Sequence, residues 1–208
     1  MTEPQTRQYR RNEVIAFRKT GETFGGLSNM APGFPISLLG HRIRTAEALY
    51  QACRFPHLPD VQRMILAETS PMTAKMRSKP YRQDSRPDWD AVRVPIMKWC
   101  LRMKLASNWS TFSALLLKTG DRPIVEDSRK DDFWGAKPGA DTLEGRNVLG
   151  RLLMELRAAL VAEPEELRTV KPVPIADFLL LRMPIGPIEA DDMPRHDRLP
   201  AQRQAAFL

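Results

Sequence analysis

Gly145-Arg-Asn147-Val-Leu-Gly150-Arg-Leu-Leu-Met154-Glu-Leu-Arg157-Ala-Ala-Leu160-Val-Ala162 is the most legible stretch of the chain. Val148, Leu149, Leu152, Leu153, Leu156 and Leu160 recur at three and four residues, so a helix over residues 147–162 carries them on one face. Asn147 stands at its start as a good capping residue, and Pro164 follows its end. A helix with one apolar face needs partners to cover it, and the sequence on its N-terminal side supplies them. Residues 123–126 read as a strand, and residues 110–117 as a short helix closed by Gly120. Trp89, Val92, Ile96, Cys100 and Met103 form a second helical stripe, which Pro95 should kink or restart.

Further toward the N-terminus, Ser70-Pro71 is a strong helix start, since serine caps and proline is pre-shaped for the first helical position. Thr45 should cap a helix over residues 46–55 that Pro56 stops. Residues 34–43 read as an apolar stretch turned near Gly40, and residues 14–17 as a strand. Past residue 168 the composition changes: six of the 18 prolines fall in the last forty residues, and the charges there balance. The chain therefore divides into a compact unit over 1–168 and a proline-rich extension over 169–208, an extended arm that packs back on the domain or onto a partner.

With 208 residues, 42% hydrophobic and 27% charged, there is room for one domain with a real core. No apolar run is long enough to span a membrane. The N-terminus is polar and lacks a secretory core, so a cytoplasmic location is expected. Cys53 and Cys100 make no disulfide framework, and His41, His57 and His196 show no metal-ligand spacing. Residues 21–26 match neither a dinucleotide fingerprint nor a Walker loop, so neither a metal nor a cofactor is expected.

The net charge is +7, and nine Lys/Arg against three Asp between Lys75 and Lys104 supply +6 of it. Such a face suits phosphates, on a small nucleotide or a nucleic-acid backbone, or is simply a solvated basic surface. Four local features could carry chemistry. Phe24-Gly-Gly-Leu-Ser28-Asn29 is a glycine-rich turn bearing an amide, able to present N–H groups to an anion or serving only as a connection. Glu47 lies in the first turn of its helix, with Tyr50 and Gln51 beside it, one of them facing a pocket. Asp131-Asp132-Phe-Trp134-Gly135 places a flat stacking surface beside two acids, unless Trp134 only seals the core. The start of the 147–162 helix, with Arg146 and Arg151, offers a phosphate site or is an ordinary capped helix.

Taken in order, the set is more specific than its parts. Leu27-Ser-Asn29, Thr45-Ala-Glu47 with Tyr50-Gln51, Ser70-Pro-x-x-Ala-Lys75, Asp88-Trp89-Asp90, Thr119-Gly-Asp121, Ile124-Val-Glu126, Asp131-x-Phe-Trp134-Gly135 and Gly145-x-Asn147-x-Leu-Gly150-Arg151 resemble the NADAR, or YbiA-like, family. The resemblance runs from about residue 14 to 160. Ala48 stands where the family usually has histidine, Arg54 where it has lysine, and Ser78 near an expected glycine.

The resemblance implies an α+β fold, a predominantly α-helical compact single domain with a small β component. It implies an enzyme that cleaves N-glycosidic bonds between ribose C1 and an amino nitrogen, with no metal. One branch hydrolyses an aminopyrimidine ribose-phosphate of riboflavin synthesis. Another removes ADP-ribose from guanine in nucleic acid, as antitoxin to a DNA ADP-ribosyltransferase. Glu47 and Asp131 look like the catalytic acidic positions, with Trp134 on the base or sugar. Lys75 matches a position able to form a Schiff base with ring-opened ribose or to bind phosphate. Ser28, Asn29, Trp89, Gly135, Asn147 and Arg151 are the expected substrate contacts. The +6 cluster and the extension favour ADP-ribosylated DNA over the small metabolite, with a cognate ADP-ribosyltransferase toxin as a further partner. A module that only binds ADP-ribose, NAD or a toxin is the non-enzymatic alternative.

Overall fold

Two hydroxyls set where the first helices begin in the computed structural model, which describes residues 5–190. Thr45 Oγ1 accepts the Ala48 N–H at 3.2 Å and starts α1 (Ala46–Ala52). The helix ends three residues before the expected stop, because Arg54 N and Phe55 N bond to Gln51 O and Ala52 O in a tighter i→i+3 turn. Pro59 opens α2 (Pro59–Ala67), a helix that the sequence reading missed although Pro59, Val61 and Ile65 mark it. Ser70 Oγ accepts from Thr73 N and Pro71 leads α3 (Pro71–Ser78), as expected.

The stripe from Trp89 to Met103 lies on α4 (Trp89–Ser107), which runs through Pro95 without a restart. Pro95 leaves the Ala91 carbonyl without its helical donor, but Ala91 is exposed, so water can serve that oxygen. Next come α5 (Trp109–Leu117) and α6 (Val148–Ala162). Leu149, Leu153, Leu156 and Leu160 of α6 enter one core with Ile96, Cys100 and Met103 of α4 and Phe112 and Leu116 of α5. Among the described residues no helix is long and apolar enough to cross a membrane.

The strands are short. β1 (Arg7–Arg10) pairs with β7 (Thr142–Gly145), and β7 with β6 (Lys137–Pro138), all antiparallel. β2 (Ile15–Phe17) lies parallel to β5 (Ile124–Glu126) in the register Ile15↔Ile124, Phe17↔Glu126. β3 (Ile36–Leu38) and β4 (His41–Ile43) form the hairpin expected at Gly40, where Leu39 and Gly40 both take positive φ. The fold class is thus the expected α+β, helical in its core with small sheets at its margins.

Beyond residue 168 the chain returns to the domain. β8 (Thr169–Val170) pairs with β11 (Ile188–Glu189), and β9 (Leu179–Leu180) with β10 (Met183–Pro184). Val170, Phe178, Leu180 and Ile185 are buried in the main core, with the Phe178 ring 4.8 Å from Trp99. Arg86, only 4% exposed, donates to Ala176 O, and Gln62 bonds Leu179 O and Leu181 N. Residues 191–208, the remainder of the expected arm, lie outside the described residues.

Candidate active site

Four carboxylates line one cavity of about 450 Å³, within the range of small-molecule sites: Asp90, its side chain 93% exposed and 3.9 Å from Arg93, and three more from other parts of the chain. Glu47, 6% exposed, comes from α1. Its N–H donates to Asn29 O at 3.0 Å, and its Oε1 accepts from Gln51 Nε2 at 2.9 Å. Ser78 Oγ on α3 lies 2.9 Å from Gln51 Oε1 and 2.8 Å from the Lys75 carbonyl, so α3 and α1 are tied where Lys75 and Glu47 face the cavity. Glu126 ends β5, where its N–H donates to Asn147 Oδ1 and its carbonyl accepts from Ala136 N. Asp131 is held by its own loop: its Oδ1 accepts from Phe133 N and Trp134 N, both at 2.9 Å.

The opposite wall is aromatic and cationic. Tyr50 packs against Trp89 (ring centroids 5.1 Å apart) and edge-on to Trp134 (5.7 Å), and Trp134 against Phe133 (5.1 Å). The Arg54 guanidinium covers Trp89 at 4.8 Å and that of Arg93 covers Phe133 at 4.0 Å. Burial and the neighbouring Arg82 charge both lower the Arg54 pKa, a repulsion that a bound anion would relieve. Asn29 spends its Nδ2 on Met97 Sδ, and its buried Oδ1 has no partner. A ribose hydroxyl can supply the missing donor.

Burial raises the Glu126 pKa to about 7, with the Asp131 and Glu47 charges pushing the same way and Lys75 pulling it back. Burial therefore lets Glu126 keep a proton up to near neutral pH. The sequence reading placed Glu126 in a motif but gave it no role. Its signal was a carboxylate closing a strand five residues before Asp131.

Glu47, Lys75, Asp131, Trp134, Asn29 and Trp89 all line this cavity, as do both Tyr50 and Gln51. Four expected contacts lie outside its lining. Ser28 Oγ accepts from Met30 N, and its carbonyl accepts from Lys104. Gly135 makes room: a Cβ there would lie 2.6 Å from Glu126 O and 3.3 Å from Glu126 Oε2. Asn147 does not cap α6 with its side chain. It takes a left-handed conformation (φ 48°) and its fully buried amide bridges Ile124 O and Glu126 N, pinning β5. Arg151 Nη2 donates to Gln5 O. The α6 N-terminus is no open phosphate site either, because Val148 N and Leu149 N donate to Phe133 O and Trp134 O.

The basic run also divides. Arg86 is paired with Asp88, Lys98 with Glu155 and Arg77 with Glu68, while Arg102 serves the carbonyls of Glu166 and Thr169. Lys104, 1% exposed, donates to Gly26 O and Ser28 O between the rings of Phe34 and Phe112. Burial lowers its pKa to about 7, against the hold of those carbonyls and rings on the charged form. Lys75, Arg82 and Arg93 are the members of the run that line the cavity, joined there by Arg54.

This constellation of carboxylates, lysine and aromatic wall on a small α+β domain suits an enzyme that cleaves a glycosidic bond. The NADAR domain profile matches residues 16–161, and the chain belongs to the NADAR domain family. N-glycosidase YbiA of Shigella boydii is 34% identical over 72% of this chain and 90% of its own length. N-glycosidase YbiA of Escherichia coli is 32% identical over the same shares. A riboflavin biosynthesis protein of Vibrio vulnificus is 34% identical over 80% of this chain, which spans only 42% of that protein. The NMR structure of Escherichia coli YbiA superposes with a TM-score of 0.62 at 30% identity, covering 76% of this chain and 94% of that one. N-glycosidase, the activity these full-length relatives carry in their names, is the enzyme class to which the chain is assigned.

Proposed function

We propose that this N-glycosidase hydrolyses the bond between ribose C1 and guanine in ADP-ribosylated nucleic acid. The observation that carries the reading is the convergence of Glu47, Glu126 and Asp131 on one cavity, where burial raises the Glu126 pKa to about 7. Carboxylates that converge on one cavity can divide acid and base work between them. Glu126 donates its proton to the departing base nitrogen as the C1–N bond breaks. Asp131, fixed by two N–H groups, faces the positive charge that develops on the sugar. Glu47 takes a proton from the water whose oxygen bonds C1, completing hydrolysis. Trp134, Tyr50 and Trp89 stack the base, Asn29 holds a ribose hydroxyl, and Arg54, Arg82 and Arg93 hold the diphosphate. Lys75 stands beside the acids, where it binds phosphate or captures ring-opened ribose as a Schiff base. Borohydride reduction traps only the second.

Four cations in the cavity lining suit a diphosphate better than a single phosphate ester. Removing such a modification would counter a DNA ADP-ribosyltransferase, which makes a toxin of that class the cognate partner. The similarity to riboflavin biosynthesis proteins supports a second substrate, an aminopyrimidine ribose-phosphate, bound by the same groups. The test is kcat/KM on an oligonucleotide with one ADP-ribosyl guanine against that on the aminopyrimidine ribose-phosphate. Preference for the oligonucleotide is expected, and the reverse preference selects the second substrate.

A further inference from the structure

One exposed helix face adjoins the cavity, and of its residues only Lys75 has a role in the site described so far. On α3, Met72, Lys75 and Met76 lie three and four residues apart, and Lys79 follows where the helix passes into the 3-10 turn Lys79–Asp84. At 100° per residue, positions 72, 75, 76 and 79 share one side of the helix. Lys75 is the member that enters the cavity, and Arg82 of the following turn lines it as well. Met72 is 57% exposed and Met76 50%, the only exposed large hydrophobic residues on this helix. Lys75, Lys79 and Arg82 are in no ion pair among the described residues, whereas Arg77, on another side of α3, is bound to Glu68.

The result is a stripe, cationic and soft, that begins in the cavity and continues outward along α3. Resting on the reading of a nucleic-acid substrate, we infer that this stripe seats the strand that carries the modified base. Lys79 pairs with a phosphate of the strand outside the cavity, and the Met72 and Met76 thioethers cover flanking bases. A base reached from inside a strand must leave its stack, and apolar side chains beside the opening replace part of that stacking. A protein partner would use the apolar residues alike, but the unpaired charges are of one sign and continuous with the cavity, which favours a polyphosphate strand.

The experiment compares two probes: a single-stranded oligonucleotide with one ADP-ribosyl guanine, and the free ADP-ribosylated guanosine nucleotide. Lys79→Glu and the pair Met72→Glu with Met76→Glu are expected to raise KM for the oligonucleotide about tenfold while kcat/KM on the free nucleotide stays at the wild-type value. Lys79→Ala should lower the salt slope of oligonucleotide binding by about one. Equal losses on both probes, or no loss on either, overturn the inference and leave the proposed activity standing. So does a loss confined to binding of a protein. If wild type cleaves neither probe, the reading beneath the inference fails and the inference falls with it.

Discussion

In the proposed mechanism Glu126 is the general acid, and its protonation would couple rate and stability to the same pH range. A general acid must be protonated, so kcat/KM should fall about tenfold per pH unit above about 7. Glu126→Gln should remove that limb and cost about 10²-fold at neutral pH. Stability follows with the same sign. The folded pKa lies above the reference value of 4.5, so the contribution is whole below that value and is lost as pH rises through about 7. Thermal midpoints of wild type and Glu126→Gln should therefore diverge between these limits, the wild type losing ground as pH rises. Parallel curves would mean that Glu126 does not hold the proton. The carboxylates at 47 and 131 are singled out by the family resemblance, and both line the cavity. The role of Glu126 is not legible in the sequence, because burial against two other acids is a property of the assembled cavity.

At the scale of elements, the contact of α6 with β5 sets where Glu126 points. Gly150 packs so closely that a Cβ would lie 2.1 Å from Ile124 O and 2.5 Å from the Asn147 amide. Gly150→Ala should cost about 3 kcal/mol in denaturant unfolding, since backbone must move to admit the methyl group. It should also lower turnover, since the same shift displaces Asn147 and Glu126. A loss under about 1 kcal/mol would show that the contact yields easily. The helix itself was readable from its leucine spacing and its proline stop. Its start was read differently, for Asn147 looks like a cap in sequence yet spends its amide on β5, a partner 23 residues away. The loop 131–135 covers the helix N-terminus with its own carbonyls, a closure that no spacing within α6 announces.

At the scale of the whole molecule, residues 169–190 pack back on the domain and contribute to its core. Its composition suggested an arm, and its prolines do hold extended chain, but Phe178 and Leu180 each bury an apolar side chain worth about 2 kcal/mol. Its carbonyls also accept hydrogen bonds from Arg86, Gln62 and Arg102. A chain ending at residue 168 should therefore lose cooperative unfolding. A 1–168 protein with a native-like midpoint would contradict this. Short pairings such as Thr169–Val170 with Ile188–Glu189 leave little trace in sequence because two residues are too few for a period.

The most direct test of the whole account uses one oligonucleotide bearing ADP-ribose on a single guanine, incubated with wild type and with Glu47→Gln. The account predicts free ADP-ribose and unmodified DNA from the wild type, and release slower by about 10²-fold or more from a variant that still binds the oligonucleotide. Equal release by both proteins, or none by the wild type, would contradict it.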